Sequence, residues 1–291
     1  MSGVRVPLPS RPPVRYYGSK WRLAPWILSH FPAHTCYVEP YAGGANVLLR
    51  KLPVTYEVYN DLDREVVHFF RTLREHTADL LRAIDLTPYS RLELDEAYEA
   101  TDDPLERARR FYVRSWQAFH PGQPNQRTGW RRQTQGGRGK SVVKDWNDTA
   151  RLLPVVERLK HVQIECDTAE AVIRNFDGPD TLFYLDPPYL TETRCDKWAD
   201  VGYAEEMDAE GHRSLAVQLI GIQGMAAISG YPSVLYEELF AGWRRVEKRA
   251  YTNGNVHRIE ALWLSPALVE RVNTTKARTL PMFESAKDGA R

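Results

Sequence analysis

The stretch Thr181-Leu182-Phe183-Tyr184-Leu185-Asp186-Pro187-Pro188-Tyr189 decides how this chain is read. Its first five residues form a short apolar run, which predicts a buried strand. An acid, two prolines and an aromatic then make a rigid rim at the strand end. The prolines fix φ and remove two backbone donors, so the segment presents mainly acceptors. The Asp186 carboxylate and the Pro187 carbonyl can together accept both hydrogens of one amino group, and Tyr189 can stack on a planar ring. A nucleobase amine held in this way keeps its lone pair free. The plainer alternative is a turn after a strand, because such punctuation is common.

Six further segments carry strand patterns: 36–38, 56–59, 161–166, 226–229, Arg244–Tyr251 and 259–264. Most end in polar or acidic residues and are followed by helical periodicity. That alternation predicts a parallel α/β sheet with ligands at the carboxyl ends of its strands. Thr252-Asn253-Gly254-Asn255 separates the last two segments and is a hairpin signal, so the final strand is expected to run antiparallel at the end of the sheet. Between Asp61 and about residue 155 the alternation stops. Residues 63–86, 92–98 and 105–119 read as helix, and a Gly-, Gln- and Arg-rich loop follows as far as Lys140. The expected layout is a flexible arm (1–14), an α/β domain (15–62 and 155–272), a helical insertion (63–154) and a polar, frayed tail (273–291).

A chain of 291 residues has ample core for one large domain or two modest ones. No run is long enough to span a bilayer, and residues 1–13 lack the apolar core of a secretory signal. Cys36, Cys166 and Cys195 form no CxxC pair, so neither a disulfide framework nor a structural zinc site is indicated, and no other metal is expected. A reducing cytoplasm fits. The net charge of +1 hides an asymmetry: from Arg107 to Lys144 there are ten Arg or Lys residues and no Asp or Glu. Such a stretch is expected to face a polyanion.

Four further segments carry candidate chemistry. Glu39-Pro40-Tyr41-Ala42-Gly43-Gly44-Ala45 follows the first strand and reads as the start of a helix over 46–52; glycines there let backbone approach a ligand, and a helix start favours an anionic group. It matches neither GxGxxG nor a P-loop. Asp61, in Asn60-Asp61 at the end of the second strand, suits ribose hydroxyls or a helix N-cap. Asp167 ends the third strand and suits either a cap or a polar contact to a purine. Tyr16-Tyr17-Gly18-Ser19-Lys20 offers a cation and aromatics for a carboxylate and an adenine, or is a surface turn.

Taken together, Tyr17-x-x-Lys20, Glu39-Pro40-Tyr41-x-Gly43-Gly44, Asn60-Asp61 and Asp186-Pro187-Pro188-Tyr189 resemble, in order and spacing, the Dam-like (D12 class) DNA adenine-N6 methyltransferases. The resemblance covers roughly residues 15–75 and 160–265. It implies a seven-stranded, Rossmann-like methyltransferase sheet with a helical target-recognition insertion, and S-adenosylmethionine as cofactor. Tyr16 and Lys20 match the family's N-terminal cofactor-binding pair. Glu39 and Gly43 match the turn around the methionine part, Asp61 the acid on the ribose, and Asp167 an acid near the adenine. Asp186, with Pro187, Pro188 and Tyr189, matches the catalytic tetrapeptide and also borders the cofactor.

The implied activity is methyl transfer to N6 of an adenine flipped from double-stranded DNA. Arg127, Arg131, Arg132, Gln133, Gln135, Arg138 and Lys140 are the candidate DNA contacts, for bases or for phosphates. A monomer is implied, with a cognate restriction endonuclease as a candidate partner. Ser229-Gly230 stands where many members carry Ser-Asn, and Ala45 where many carry Gly. Alternatives left open are cytosine N4 or RNA adenine as target, and a binding protein that has lost catalysis.

Overall fold

A computed structural model describes residues 8–120, 127–133, 141–190, 205–251 and 257–279. Seven strands form one sheet: β1 (Cys36–Glu39), β2 (Tyr56–Asn60), β3 (Gln163–Glu165), β4 (Thr181–Leu185), β5 (Met225–Gly230), β6 (Arg244–Tyr251) and β7 (His257–Leu264). Their order is β3-β2-β1-β4-β5-β7-β6. The first five run parallel, and β7 is antiparallel to both β5 and β6. The chain therefore winds one way from β1 and the other way from β4. The crevice at such a reversal is where doubly wound sheets bind ligands. This is the methyltransferase-like α/β architecture the sequence predicts, with one difference. The final strand lies inside β6, so β6 is the edge, because the antiparallel hairpin inserts its second strand beside β5. The Asn-Gly turn itself lies outside the described residues.

β4 reads as an unbroken apolar run because it is buried on both faces. Val38, Val58, Phe183, Leu185, Ile228 and Trp263 face one layer, which packs against α8 (Ala169–Phe176), α9 (Ala209–Ile220) and α10 (Val234–Leu239). Tyr37, Tyr59, Leu182, Tyr184 and Leu262 face the other. Each such buried apolar side chain stabilises the fold by about 1.5–3 kcal/mol. The second layer holds α1 (Ala24–Leu28), α2 (Arg64–Glu75), α3 (Thr77–Asp85), α4 (Arg91–Glu96), α5 (Pro104–Gln117), α6 (Val142–Trp146), α7 (Leu152–Leu159) and α11 (Pro266–Thr279). Val66, Val67, Phe69, Phe70 and Leu73 of α2 sit at helical spacing and share one core with the sheet and with α5. The insertion is thus fused to the sheet rather than set apart from it. Trp146 is buried and donates to the Thr87 carbonyl at 2.9 Å, and Trp130 packs on Tyr89, so both are packing residues.

Several boundaries differ from expectation. The arm does not hang free over its described part: Val14 is fully buried, the Trp116 indole donates to the Pro13 carbonyl at 3.2 Å, and Arg11 pairs with Asp148 at 2.6 Å. The tail is helical through Thr279 as part of α11, anchored by Leu268. The helix expected over 63–86 breaks at His76 into α2 and α3. The helix expected over 46–52 shrinks to a single 3-10 turn, Leu48–Arg50, so no helix dipole serves the glycine turn. The segment is held instead by buried charges. Lys51 meets Glu57 at 3.1 Å, and Arg158 meets Glu57 at 2.5 Å while donating to the Leu48 carbonyl.

Candidate active site

The first layer of the site comes from strand ends. The Asn60 side chain ties three of them together. Its amide nitrogen donates to the Pro40 and Asp167 carbonyls, both at 2.9 Å, and its oxygen accepts from Asp167 N–H at 2.9 Å. The Tyr59 hydroxyl donates to the Gly43 carbonyl at 2.9 Å, and Ala42 N–H to the Asn60 carbonyl. The turn after β1 is therefore held against β2 along its length.

That turn needs its glycine. Gly43 has φ +48°, and a Cβ there would lie 2.7 Å from the Tyr16 ring. Ala45 also takes a left-handed φ, +55°, which explains why glycine suits that position and why alanine there is strained. Gly230 has a packing reason as well, since a Cβ would lie 2.8 Å from the Tyr236 ring and 3.2 Å from Trp263.

These segments line a cleft at the β1/β4 reversal of the sheet, the place where doubly wound sheets bind ligands. Tyr16, Lys20, Glu39, Gly43, Asp61 and Asp186 all line it, drawn from segments far apart in the chain. Asp167 does not. It is exposed at the rim, and its carboxylate accepts from Thr168 N–H at 2.7 Å. Neither aspartate is a helix cap: Asp63 caps α2 and Thr168 caps α8. Asp61 accepts from Gly43 N–H at 2.7 Å and from Asp63 N–H at 2.9 Å. A carboxylate has about four lone-pair sites, so two backbone donors leave Asp61 able to bind hydroxyls. Asp63 also accepts from the Tyr16 hydroxyl at 3.0 Å, a role the sequence reading missed.

The described lining is acidic: Glu39, Asp61, Asp63, Asp186, Glu205 and Glu206 face it with Lys20. Burial pushes the Asp61 carboxyl up to about 7, against its two backbone donors. Burial likewise pushes Glu39 up to about 8, although the Tyr37 hydroxyl donates to it at 2.6 Å. Asp186 is raised by burial too, while Lys20 opposes the shift through an ion pair at 3.1 Å. Such a lining favours a positively charged ligand and repels a phosphodiester.

Pro188 lines the cleft beside Asp186, whereas Tyr189 is buried behind it. The Tyr189 hydroxyl donates to Glu260 Oε2 at 3.2 Å, its ring meets Tyr231 edge-on at 4.7 Å, and the Lys20 ammonium lies 4.7 Å from the ring centre. Glu260 escaped the sequence reading because one acid in an alternating strand looks like a solvent-facing residue.

The basic stretch behaves differently. Arg107 and Arg114 pair with Glu65, Arg109 with Glu93 and Glu106, and Arg110 with Glu106, at 2.6–2.9 Å. Arg127 pairs with Glu99 at 2.6 Å. The expectation that this whole stretch faces a polyanion is therefore corrected: acids from α2 and α4, and from the start of α5, neutralise its first part. Gln133 accepts from Val142 N–H at 3.1 Å at the start of α6, so its carbonyl has a structural duty. Arg131 is half-buried and Arg132 exposed, on a strand-like return that hydrogen-bonds the end of α5. Gln135, Arg138 and Lys140 lie outside the described residues.

The family model for D12 class N6 adenine-specific DNA methyltransferase matches residues 16–213 of this chain. No curated protein matches it.

Proposed function

Because the chain belongs to the D12 class of N6 adenine-specific DNA methyltransferases, we propose that it moves a methyl group from S-adenosylmethionine to N6 of an adenine extruded from duplex DNA. The observation that carries this reading is that Asp186, at the end of the middle strand, lines the same acidic cleft as the glycine turn and Asp61. The lining suits a cofactor that carries positive charge. Lys20 would meet its carboxylate, Glu39 and Gly43 its methionine part, and Asp61 its ribose, with Asp167 reaching the adenine from the rim. When bound, S-adenosylmethionine supplies an electrophilic methyl group on a cationic sulfur.

The chain's own residues do the rest. Adenine N6 is a weak nucleophile because its lone pair is delocalised into the ring. Asp186 and the Pro187 carbonyl accept the two N6 hydrogens, which lets the nitrogen become tetrahedral and localises the lone pair. Pro188 narrows the conformations open to this rim, and Tyr189 backs it from behind the cleft rather than stacking on the base as the sequence suggested. Holding the reactants in near-attack geometry is worth about 7–11 kcal/mol of the barrier in favourable cases. A stacked base cannot reach the cleft, so extrusion precedes chemistry. The phosphates stay outside, where Arg131 and Arg132 meet them together with Arg127, Arg138 and Lys140, and where Gln133 adds a polar contact. The reading includes a monomer in the cytoplasm, alongside a cognate restriction endonuclease where the cell carries one.

The test is methylation of duplex DNA with labelled cofactor, followed by nucleoside analysis. N6-methyladenine is expected. Asp186→Ala should lower the rate by about 10³-fold or more, the scale of losing a key transition-state contact, with cofactor affinity by calorimetry falling much less. Transfer to RNA alone, or to cytosine, would replace the substrate. A wild-type rate in D186A would remove Asp186 from the chemistry.

A further inference from the structure

The β6–β7 hairpin outreaches its neighbours on the side where the cleft opens. β7 is antiparallel to β5 and to β6, so β6 runs in the direction of the parallel strands and ends on the Asp186 side of the sheet. One row across the sheet joins Leu185 to Ile228, Trp263 and Arg245. Arg249 lies four residues past that row, about 13 Å at the usual strand rise, and three strand spacings, about 14 Å, to the side of β4. β5 stops at Gly230, level with Glu247, so the end of β6 stands beyond it. Lys248 sits opposite Glu260, the residue that accepts from Tyr189 of the rim.

This end of the hairpin is cationic. From Lys248 to Ile259 the sequence holds three Lys or Arg residues and no Asp or Glu. Acids from elsewhere neutralise α5, but they do not neutralise the end of β6. Glu237 and Glu247 both pair with Arg245. Arg249 is exposed and makes no ion pair among the described residues. The Lys248 ammonium lies 5.9 Å from the centre of the Trp26 ring and likewise has no carboxylate. The insertion leaves the sheet at β2 and returns at β3, on one side of β4, and the hairpin lies on the other.

We propose that the end of β6, through Arg249 with Lys248 beside it, is a second phosphate-binding surface for duplex DNA, on the side of the cleft away from β2 and β3. This rests on the methyltransferase reading above and adds a contact outside the insertion. An adenine extruded into the cleft brings its duplex across the carboxyl ends of the strands. At about 3.4 Å per base pair, a lateral offset of about 14 Å reaches backbone about four base pairs from the target. Cations on an edge strand also keep other strands from pairing with it. That role is served by charge anywhere along β6, at Arg244 as well as at Arg249. A phosphate contact is confined to the cleft end, and Arg244 lies five residues back, about 17 Å away.

The test is binding of a mixed-sequence DNA duplex by the full chain over a range of salt concentrations, read by fluorescence anisotropy. In Arg249→Ala the log–log salt slope should drop by about 1, one counterion for one lost phosphate contact. Arg249→Lys keeps the charge and should keep the slope, whereas Arg249→Glu should weaken binding further than R249A. Arg244→Ala, on the same strand and equally exposed, should leave the slope at its wild-type value. In methylation assays R249A should raise KM for DNA and leave turnover at saturating DNA unchanged, because Arg249 stands outside the cleft. An unaltered slope in R249A overturns the proposal, and so does an equal drop in R244A, which would make the charge a general property of the edge. A wild-type protein that binds no duplex DNA overturns the methyltransferase reading together with this one. Wild-type methylation combined with an unaltered R249A slope overturns the hairpin surface alone.

Discussion

The cleft and the outer helices handle charge in opposite ways. Along α5, each arginine of the cationic run meets a carboxylate of a neighbouring turn or helix. In the cleft, six described carboxylates face one lysine, and burial raises the affinity of at least three of them for protons. Carboxylates matched by arginine are structural, and buried carboxyls without a matching cation hold protons until a ligand arrives. A count of charges along the chain cannot tell these apart, because the acids that neutralise α5 come from elsewhere in the sequence.

Three measurements test this contrast. The largest effect is expected from Glu65→Ala, which strands Arg107 and Arg114 together. Both pairs are partly exposed, so the loss should be about 2 kcal/mol, between the values for surface and buried ion pairs. Urea unfolding reads it, while the salt dependence of DNA binding should stay as it was. A flattened salt slope with unchanged stability would mean that these arginines serve DNA after all. Next comes replacement of Arg131 and Arg132 by alanine. Affinity for duplex DNA should fall roughly tenfold, and the log–log salt slope should drop by about 2, one counterion per lost phosphate contact. An unaltered slope removes both from the interface. The smallest effect concerns pH. Glu39 and Asp61 hold protons in the ligand-free fold up to about 8 and about 7, whereas in the unfolded chain they release them near 4.5 and 3.8. Between those limits the folded state binds more protons, so stability should fall as pH rises from about 5 to 8. Melting temperatures across that range test the sign. Glu39→Gln should flatten the fall, and a rise over the same interval would contradict the buried, proton-binding cleft.

The sheet was legible wherever local rules apply. Seven strand segments, the parallel order implied by intervening helices, and the antiparallel close are all visible in periodicity and in Asn-Gly punctuation. The cleft residues were legible because strand ends with Pro or Gly leave the backbone few choices, so Gly43, Asp61 and Asp186 converge as their spacing suggests. Three things were hidden, each for a non-local reason. Asp63, two residues after Asp61, was equally able to cap α2, and only packing chose between them. The 46–52 segment has ordinary helical residues, but tethering to Glu57 and Arg158 stops it after one turn. Glu260 needed the knowledge that β7 slots beside β5, which no local pattern carries.

That slotting also sets the timing of assembly. The β6–β7 hairpin pairs neighbours in sequence and can form in about 1–10 μs. β1 must wait for its partner from Thr181 onwards, and β2 for its partner at Gln163, so both stand with unpaired edges while the insertion is being synthesised. Lys20 can meet Asp186 only after β4 has joined, and Tyr189 can meet Glu260 only after the hairpin has docked. High contact order of this kind slows folding. The site is therefore complete only when β4 and the hairpin have both joined the sheet.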